Sequence, residues 1–236
     1  MGGQAMPVDL LEREQSVFAV VILGDFNPAI FHPLWYAQNE LIPKEEVADA
    51  SDVVTSDQVS TFLHNNVHVQ VERHRFGLTT KDPSRAPYLR DLAVGTFTLL
   101  EHSPLNAIGL NREMRFKMLT ADAWNEVGHC LAPKEPWMGI LETPGMRVVA
   151  MEGKRADCEA DQITIRVQPA SGLENGVFVA VNQHYNLKKS DNVPVSDRNA
   201  EALRILNSDW HPFCGFAEHA AVSLIRQTQV KGGHSS

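Results

Sequence analysis

Long apolar runs are missing from this 236-residue chain. None approaches the roughly 20 residues that a membrane-spanning helix needs, so no membrane partner is expected. The first residues, Met1-Gly2-Gly3-Gln4-Ala5-Met6-Pro7, have no basic stretch leading into an apolar one, which reads against a secretory leader. Cysteine is scarce: Cys130, Cys158 and Cys214 are odd in number and far apart. That excludes a disulfide framework and fits a reducing cytoplasm. A basic surplus is absent too, with 21 Lys and Arg against 29 Asp and Glu and a formal net charge of −8. Such a chain repels nucleic-acid phosphate unless its cations cluster. The signatures of the commoner chemistries are also missing: no P-loop, no Gly-x-Gly-x-x-Gly, no Gly-x-Ser-x-Gly, no His-Glu-x-x-His. No cofactor is expected.

What is present is enough apolar material for a sizeable core, 43% of residues, with an ordinary 21% charged. Residues 1–16 begin with small and polar side chains and are expected to fray, with a short turn of helix at 9–13. Residues 17–24 are β-branched and apolar and read as a buried strand. A helix is expected over 33–42, opened by Pro33 and closed by Pro43. Strands follow at 57–64 and 67–76, joined by Asn65-Asn66 as a hairpin turn. Leu89, Leu92, Ala93, Thr96, Phe97 and Leu100 recur at helical spacing, with Ser84 as the candidate cap. Gly95 within that stretch weakens a helix by about 1 kcal/mol relative to Ala, which points to close packing at that position. A strand over 105–118 completes the order strand, helix, strand, strand, helix, strand, the split pattern of a ferredoxin-like unit.

The second half reads as a variation on the first. Thr120 caps a helix running to Ala132, and strands are expected at 146–152, 163–168 and 177–187. A C-terminal helix carries Ala202, Leu203, Leu206, Trp210, Phe213, Ala217, Ala220 and Leu224, with Pro212 as a kink or a new start. Residues 228–236 are disordered by composition. The expectation is one α+β domain over 17–227, made of fused halves at 17–118 and 119–227. Its sheet is mainly antiparallel with about seven strands, and its first half is ferredoxin-like (βαββαβ).

Four groups of side chains are candidates for chemistry. The first is the corner Gly24-Asp25-Phe26-Asn27-Pro28 with His32, a strand end and helix start of the kind that binds phosphate. It resembles the Gly-x-Phe-Asp/Asn-Pro turn of cytidylyltransferase-like enzymes. Ile30 and Pro33 stand where that family has its two histidines, and His32 where it has glycine. Gly24, Asp25, Asn27 and His32 are the candidate ligand-binding residues. The second group, His68, Glu72 and His74, alternates on one strand face and offers imidazole and carboxylate to a metal. The third is basic: Arg73, Arg75, Arg85 and Arg90, candidates for nucleic-acid contact. The fourth is His211, Cys214 and Glu218 with His219, which fall on one helical face.

One family resemblance spans about half of the chain. The helix from Leu92-Ala93, the Ser103-Pro104 loop and the strand Leu105-Asn106-Ala107-Ile108-Gly109-Leu110-Asn111 carry it. So do Gly176-Val177-Phe178-Val179-Ala180-Val181-Asn182 and the long C-terminal helix after them. Together they are similar to a sporadically distributed bacterial family of uncharacterised cytoplasmic proteins. The resemblance implies a prokaryotic accessory protein and assigns no catalytic residue. With no complete catalytic set, the function expected is a non-enzymatic binding or scaffolding subunit. It would act through protein contacts or self-association, in a bacterial defence or stress system. The alternatives are a nucleotide- or metal-dependent enzyme using the Gly24–Pro28 turn and a nucleic-acid-binding accessory protein.

Overall fold

The computed structural model describes residues 11–188, 190 and 192–232. Its strands are β1 (Leu11–Gly24), β2 (Ser51–Thr55), β3 (Val59–His64), β4 (Val67–Glu72), β5 (Arg75–Thr80), β6 (Leu105–Met118), β7 (Val149–Gly153), β8 (Gln162–Pro169) and β9 (Gly176–Asn186). They form one nine-stranded sheet in the order β2-β3-β4-β5-β1-β6-β9-β8-β7. Every neighbouring pair is antiparallel. The helices are α1 (Pro33–Gln38), α2 (Ala86–Leu99), α3 (Ala121–Leu131), α4 (Val195–Ser208) and α5 (Trp210–Gly232). Among the described residues no helix is long and apolar enough to cross a membrane.

Strand alternation decides which face the helices cover. Phe18, Val20 and Ile22 of β1 are buried, as are Ile108, Leu110 and Met114 of β6 and Val177, Val179 and Val181 of β9. The register keeps these side chains on one side, with Ile22 opposite Ile108 and Val20 opposite Leu110. α2 packs there on β1 and β5, and α5 on β6 and β9. Among the described residues the other face has no helix, and it presents half-buried side chains such as Ala19, Val21, Asn111 and Asn182. An amide hydrogen bond at 2.7 Å from Asn182 Nδ2 to Asn111 Oδ1 crosses it.

The chain follows the same course twice. A long strand leads to a helix, then to an antiparallel meander whose last strand returns to pair with the first, then to a further helix. β1, α1, β2 to β5 and α2 make one pass. β6, α3, β7 to β9 and the last two helices make the other. The opening strands, β1 and β6, pair with each other at the centre from Leu11 opposite Met118 to Gly24 opposite Leu105.

This architecture corrects the expected seven strands and ferredoxin-like opening. The two additional strands are β2 and β5. β2 is exposed at all five residues, so it carries no hydrophobic alternation. β5 shares only Arg75 and Phe76 with the expected strand 67–76, which ran β4 through its turn. The chain reverses at Arg73-His74, and the buried positions change from odd (Val67, Val69, Val71) to even (Phe76, Leu78, Thr80). That change of parity is the mark of a tight turn. A βαββαβ unit has two strands between its helices. Here four, β2 to β5, lie between α1 and α2, and β6 opens the second pass of one nine-stranded sheet instead of closing a four-stranded one.

Smaller corrections follow the same logic. β1 starts at Leu11, so 11–13 are strand and not a turn of helix; residues 1–10 lie outside the described residues. Ser84 is not the cap of α2: it lies in a 3₁₀ turn at Pro83–Arg85 capped by Asp82, whose Oδ1 accepts from Ser84 N at 2.9 Å, and Arg85 opens α2 with no side-chain cap. The C-terminal helix divides at Asp209, and Pro212 sits in the first turn of α5. Residues 228–232 of the expected disordered tail are helical, and 233–236 are outside the described residues. Asn65 and Asn66 form the hairpin turn with φ of 51° and 61°. The close approach at Gly95 is present too: a Cβ there would lie 2.5 Å from Leu41 Cδ2.

Candidate functional site

The corner after β1 is built from backbone bonds and caps. Gly24 N, Asp25 N and Phe26 N donate to the carbonyls of His74, Pro104 and Arg73 at 3.3, 3.2 and 2.8 Å. Those N–H groups are therefore not available as a phosphate cradle. Asn27 Oδ1 accepts from Ala29 N at 3.2 Å, capping a 3₁₀ turn at Pro28–Ile30. His32 Nδ1 accepts from Leu34 N at 3.1 Å, capping α1. Asp25 reaches only exposed Arg73, at 3.9 Å. Gly24 is required because a Cβ would stand 2.8 Å from the Pro104 carbonyl oxygen. Each candidate ligand-binding residue thus has a structural task at the corner.

The strand face at β4 separates the metal candidates. His68 and Glu72 point to the helix-free face, where His68 Nε2 lies 2.8 Å from Thr61 Oγ1 and Glu72 Oε1 accepts from Gln70 at 2.8 Å. His74 is in the turn, with Nδ1 3.4 Å from the Gly24 carbonyl oxygen. Among the described residues, no three His, Cys, Asp or Glu side chains converge as a metal site. The four arginines are divided as well. Arg73 and Arg75 stand at the start of β5, while Arg85 and Arg90 follow its far end, and the six residues of β5 set them roughly 17–20 Å apart.

The fourth group does come together. A cleft of about 670 Å³ opens in the helical layer above the central strands, between the start of α2 and α5. His211, Cys214, Glu218 and His219 line it from α5, facing Arg90 of α2 and Arg112 of β6. Phe18, Pro87 and Trp210 supply apolar wall. Arg112 is only 6% exposed. Its guanidinium stacks over the Phe18 ring at 4.6 Å and donates to the Cys214 carbonyl oxygen and to the Glu218 carboxylate. Glu218 also accepts from Arg13, so two guanidinium groups share one carboxylate. Arg112 Nε is buried with no hydrogen-bond partner among the described residues. Burial pulls the Arg112 guanidinium below its ordinary range, against the opposite pull of Glu218. Burial pushes the Cys214 thiol up to about 11, with Arg112 pulling the other way. A thiol held neutral at physiological pH is a poor nucleophile, which argues against Cys214 as the thiolate of a Cys-His pair. Arg112, which anchors this cleft, was not among the sequence candidates. Its signal was the even-numbered parity of β6, which places an arginine among Ile108, Leu110, Met114 and Phe116 on the buried face.

A second feature lies at the sheet margin. The segment between α3 and β7 exposes Trp137, Met138, Ile140, Leu141 and Val148, and β7 adds Met151. Ile140 is 73% exposed and Met151 67%. Single exposed apolar residues are ordinary, but here six fall within fifteen residues beside the outer edge of β7. The opposite margin differs. β2 is bulged against β3 between Ser51 and Val54, with Asp52 at φ 53°. A bulge of this kind twists an edge away from further pairing. No protein-family model, curated protein or solved structure matches the chain.

Proposed function

We propose that this protein is a non-enzymatic assembly subunit that works through protein contacts, and that its β7 edge pairs with the same edge of a second copy. The repeated course of the chain carries this reading. In the first pass a strand, β2, precedes β3 and covers its outer edge. In the second pass the equivalent stretch, 138–148, forms no strand, so β7, the counterpart of β3, is left uncovered. A strand from another molecule occupies the vacant place by ordinary sheet extension.

Self-pairing is favoured by the strand itself. An antiparallel pairing centred on Met151 puts Glu152 opposite Ala150 of the other copy, with no like charges face to face. The two-fold axis also brings two Met151 side chains together on the helix-bearing side, since Met151 pairs with Ile165 and through it with buried Val181. The three thiols are free, which suits a cytoplasmic setting. The resemblance to bacterial accessory proteins supports a subunit role, and a bacterial defence or stress setting is part of the same proposal.

Sedimentation velocity tests the proposal. The wild type is expected to run as a dimer, and Met151→Glu and Ile140→Glu as monomers with unchanged circular dichroism, because both positions are exposed. A wild-type monomer at the highest concentration reached, or dimers in both variants, would sink the reading.

A further inference from the structure

The cleft around Arg112 lies three strands in from β7, roughly 14 Å away, and is independent of the pairing proposed above. Its composition is unusual for a surface hollow. A buried arginine is expensive unless its charge and donors are matched. Here Arg13 and Arg112 share the single carboxylate of Glu218, so within this trio the cations outnumber the carboxylates. Arg112 Nε has no acceptor among the described residues. The walls nearest to it are apolar: Phe18 below, Pro83, Ala86 and Pro87 from the start of α2, and Trp210 and Val222 from α5. The volume of about 670 Å³ is in the range of small-molecule sites.

From these features we infer that the cleft is a binding site for a small organic carboxylate with a flat apolar body, its carboxylate set against Arg112. The carboxylate of a monoanion balances the cation that Glu218 leaves over between Arg13 and Arg112. A phosphate dianion meets stronger repulsion from the Glu218 carboxylate at the same mouth. The donors left over on a guanidinium accept a planar carboxylate, and the proline and tryptophan walls cover the face of an attached ring. Arg112 acts as the anchor, Glu218 and Phe18 hold it in place, and α2 and α5 set the width.

Benzoate is the probe, with benzamide as its neutral counterpart and inorganic phosphate as the polar anion. Titration calorimetry and thermal unfolding of the full chain are the readouts. Benzoate is expected to bind saturably with a millimolar or tighter Kd and to raise Tm, while benzamide and phosphate bind at least tenfold more weakly. Arg112→Lys keeps the charge but loses the planar fork, and is expected to weaken benzoate at least tenfold. That variant alters a buried side chain, so Val222→Trp supplies an independent arm: Val222 is only partly buried and lines the same cleft, and a larger side chain there takes up cleft volume while Arg112 itself is kept. It is expected to abolish benzoate binding while leaving Tm without ligand near that of the wild type. The inference is overturned if benzoate gives no saturable binding, if benzamide or phosphate binds as well as benzoate, or if Val222→Trp binds benzoate like the wild type.

Discussion

Tyr36, Tyr88 and Tyr185 are the only tyrosines of the chain, and each is held in its neutral form. Burial is the main cause at all three. Tyr88 is pushed up to about 12, with Glu46 nearby adding to the effect of burial. Tyr36 and Tyr185 are driven higher; at Tyr185 the hydrogen bond donated to Asp209 Oδ2 at 2.7 Å reinforces burial. The sign is fixed by linkage. A phenol that holds its proton more tightly when folded contributes stability that is complete below pH 10, its ordinary value, and that is lost as pH rises through 10 toward 12 and beyond. Alkaline titration is therefore expected to show no tyrosinate absorbance while the fold persists near pH 10. Above that, tyrosinate should appear together with the loss of circular dichroism. A separate tyrosinate step near pH 10 in the folded protein would contradict this. The same burial keeps Cys214 protonated, so alkylating reagents are expected to reach it slowly at neutral pH.

At the scale of the element, α3 shows how local signals and tertiary contacts divide the work. Thr120 Oγ1 accepts from Ala123 N at 3.1 Å, and Trp124 Nε1 donates across to the Gly176 carbonyl oxygen at 3.0 Å. Thr120→Ala removes the cap and is expected to cost about 1 kcal/mol, read as a lower urea midpoint with an unchanged slope. The cap was legible in the sequence, as were the long strand 105–118, the Asn65-Asn66 turn and the core stripe of α2, because each rests on neighbouring residues alone. β2 was not legible, since a strand exposed at every position has no period to detect. The corner at Gly24 misled for a related reason. Its residue types suit both a phosphate turn and a pair of caps, and only the distant carbonyls of Arg73, His74 and Pro104 decide between them. The α5 cluster of His211, Cys214 and Glu218 was visible as a helical face. The partner that gives it meaning, Arg112, lies 102 residues from Cys214 in the chain.

For the whole molecule, the central pairing of β1 with β6 makes the two passes of the chain depend on each other. One cluster of buried side chains runs from Phe62 through Val20 and Leu110 to Val179 and Ile225. Neither half owns a complete core, so unfolding is expected as a single transition, with tryptophan fluorescence and circular dichroism superimposing. Two resolved transitions would show independent halves. The unequal margins of the sheet have a consequence for stoichiometry. A unit with two flat edges adds neighbours without limit and grows into a fibre. This molecule has one edge open at β7 and the other bent away at β2. Under the pairing proposed above that gives a valency of one: with a neighbour bound at β7, no second flat edge is left to recruit a third, and the assembly would end at two.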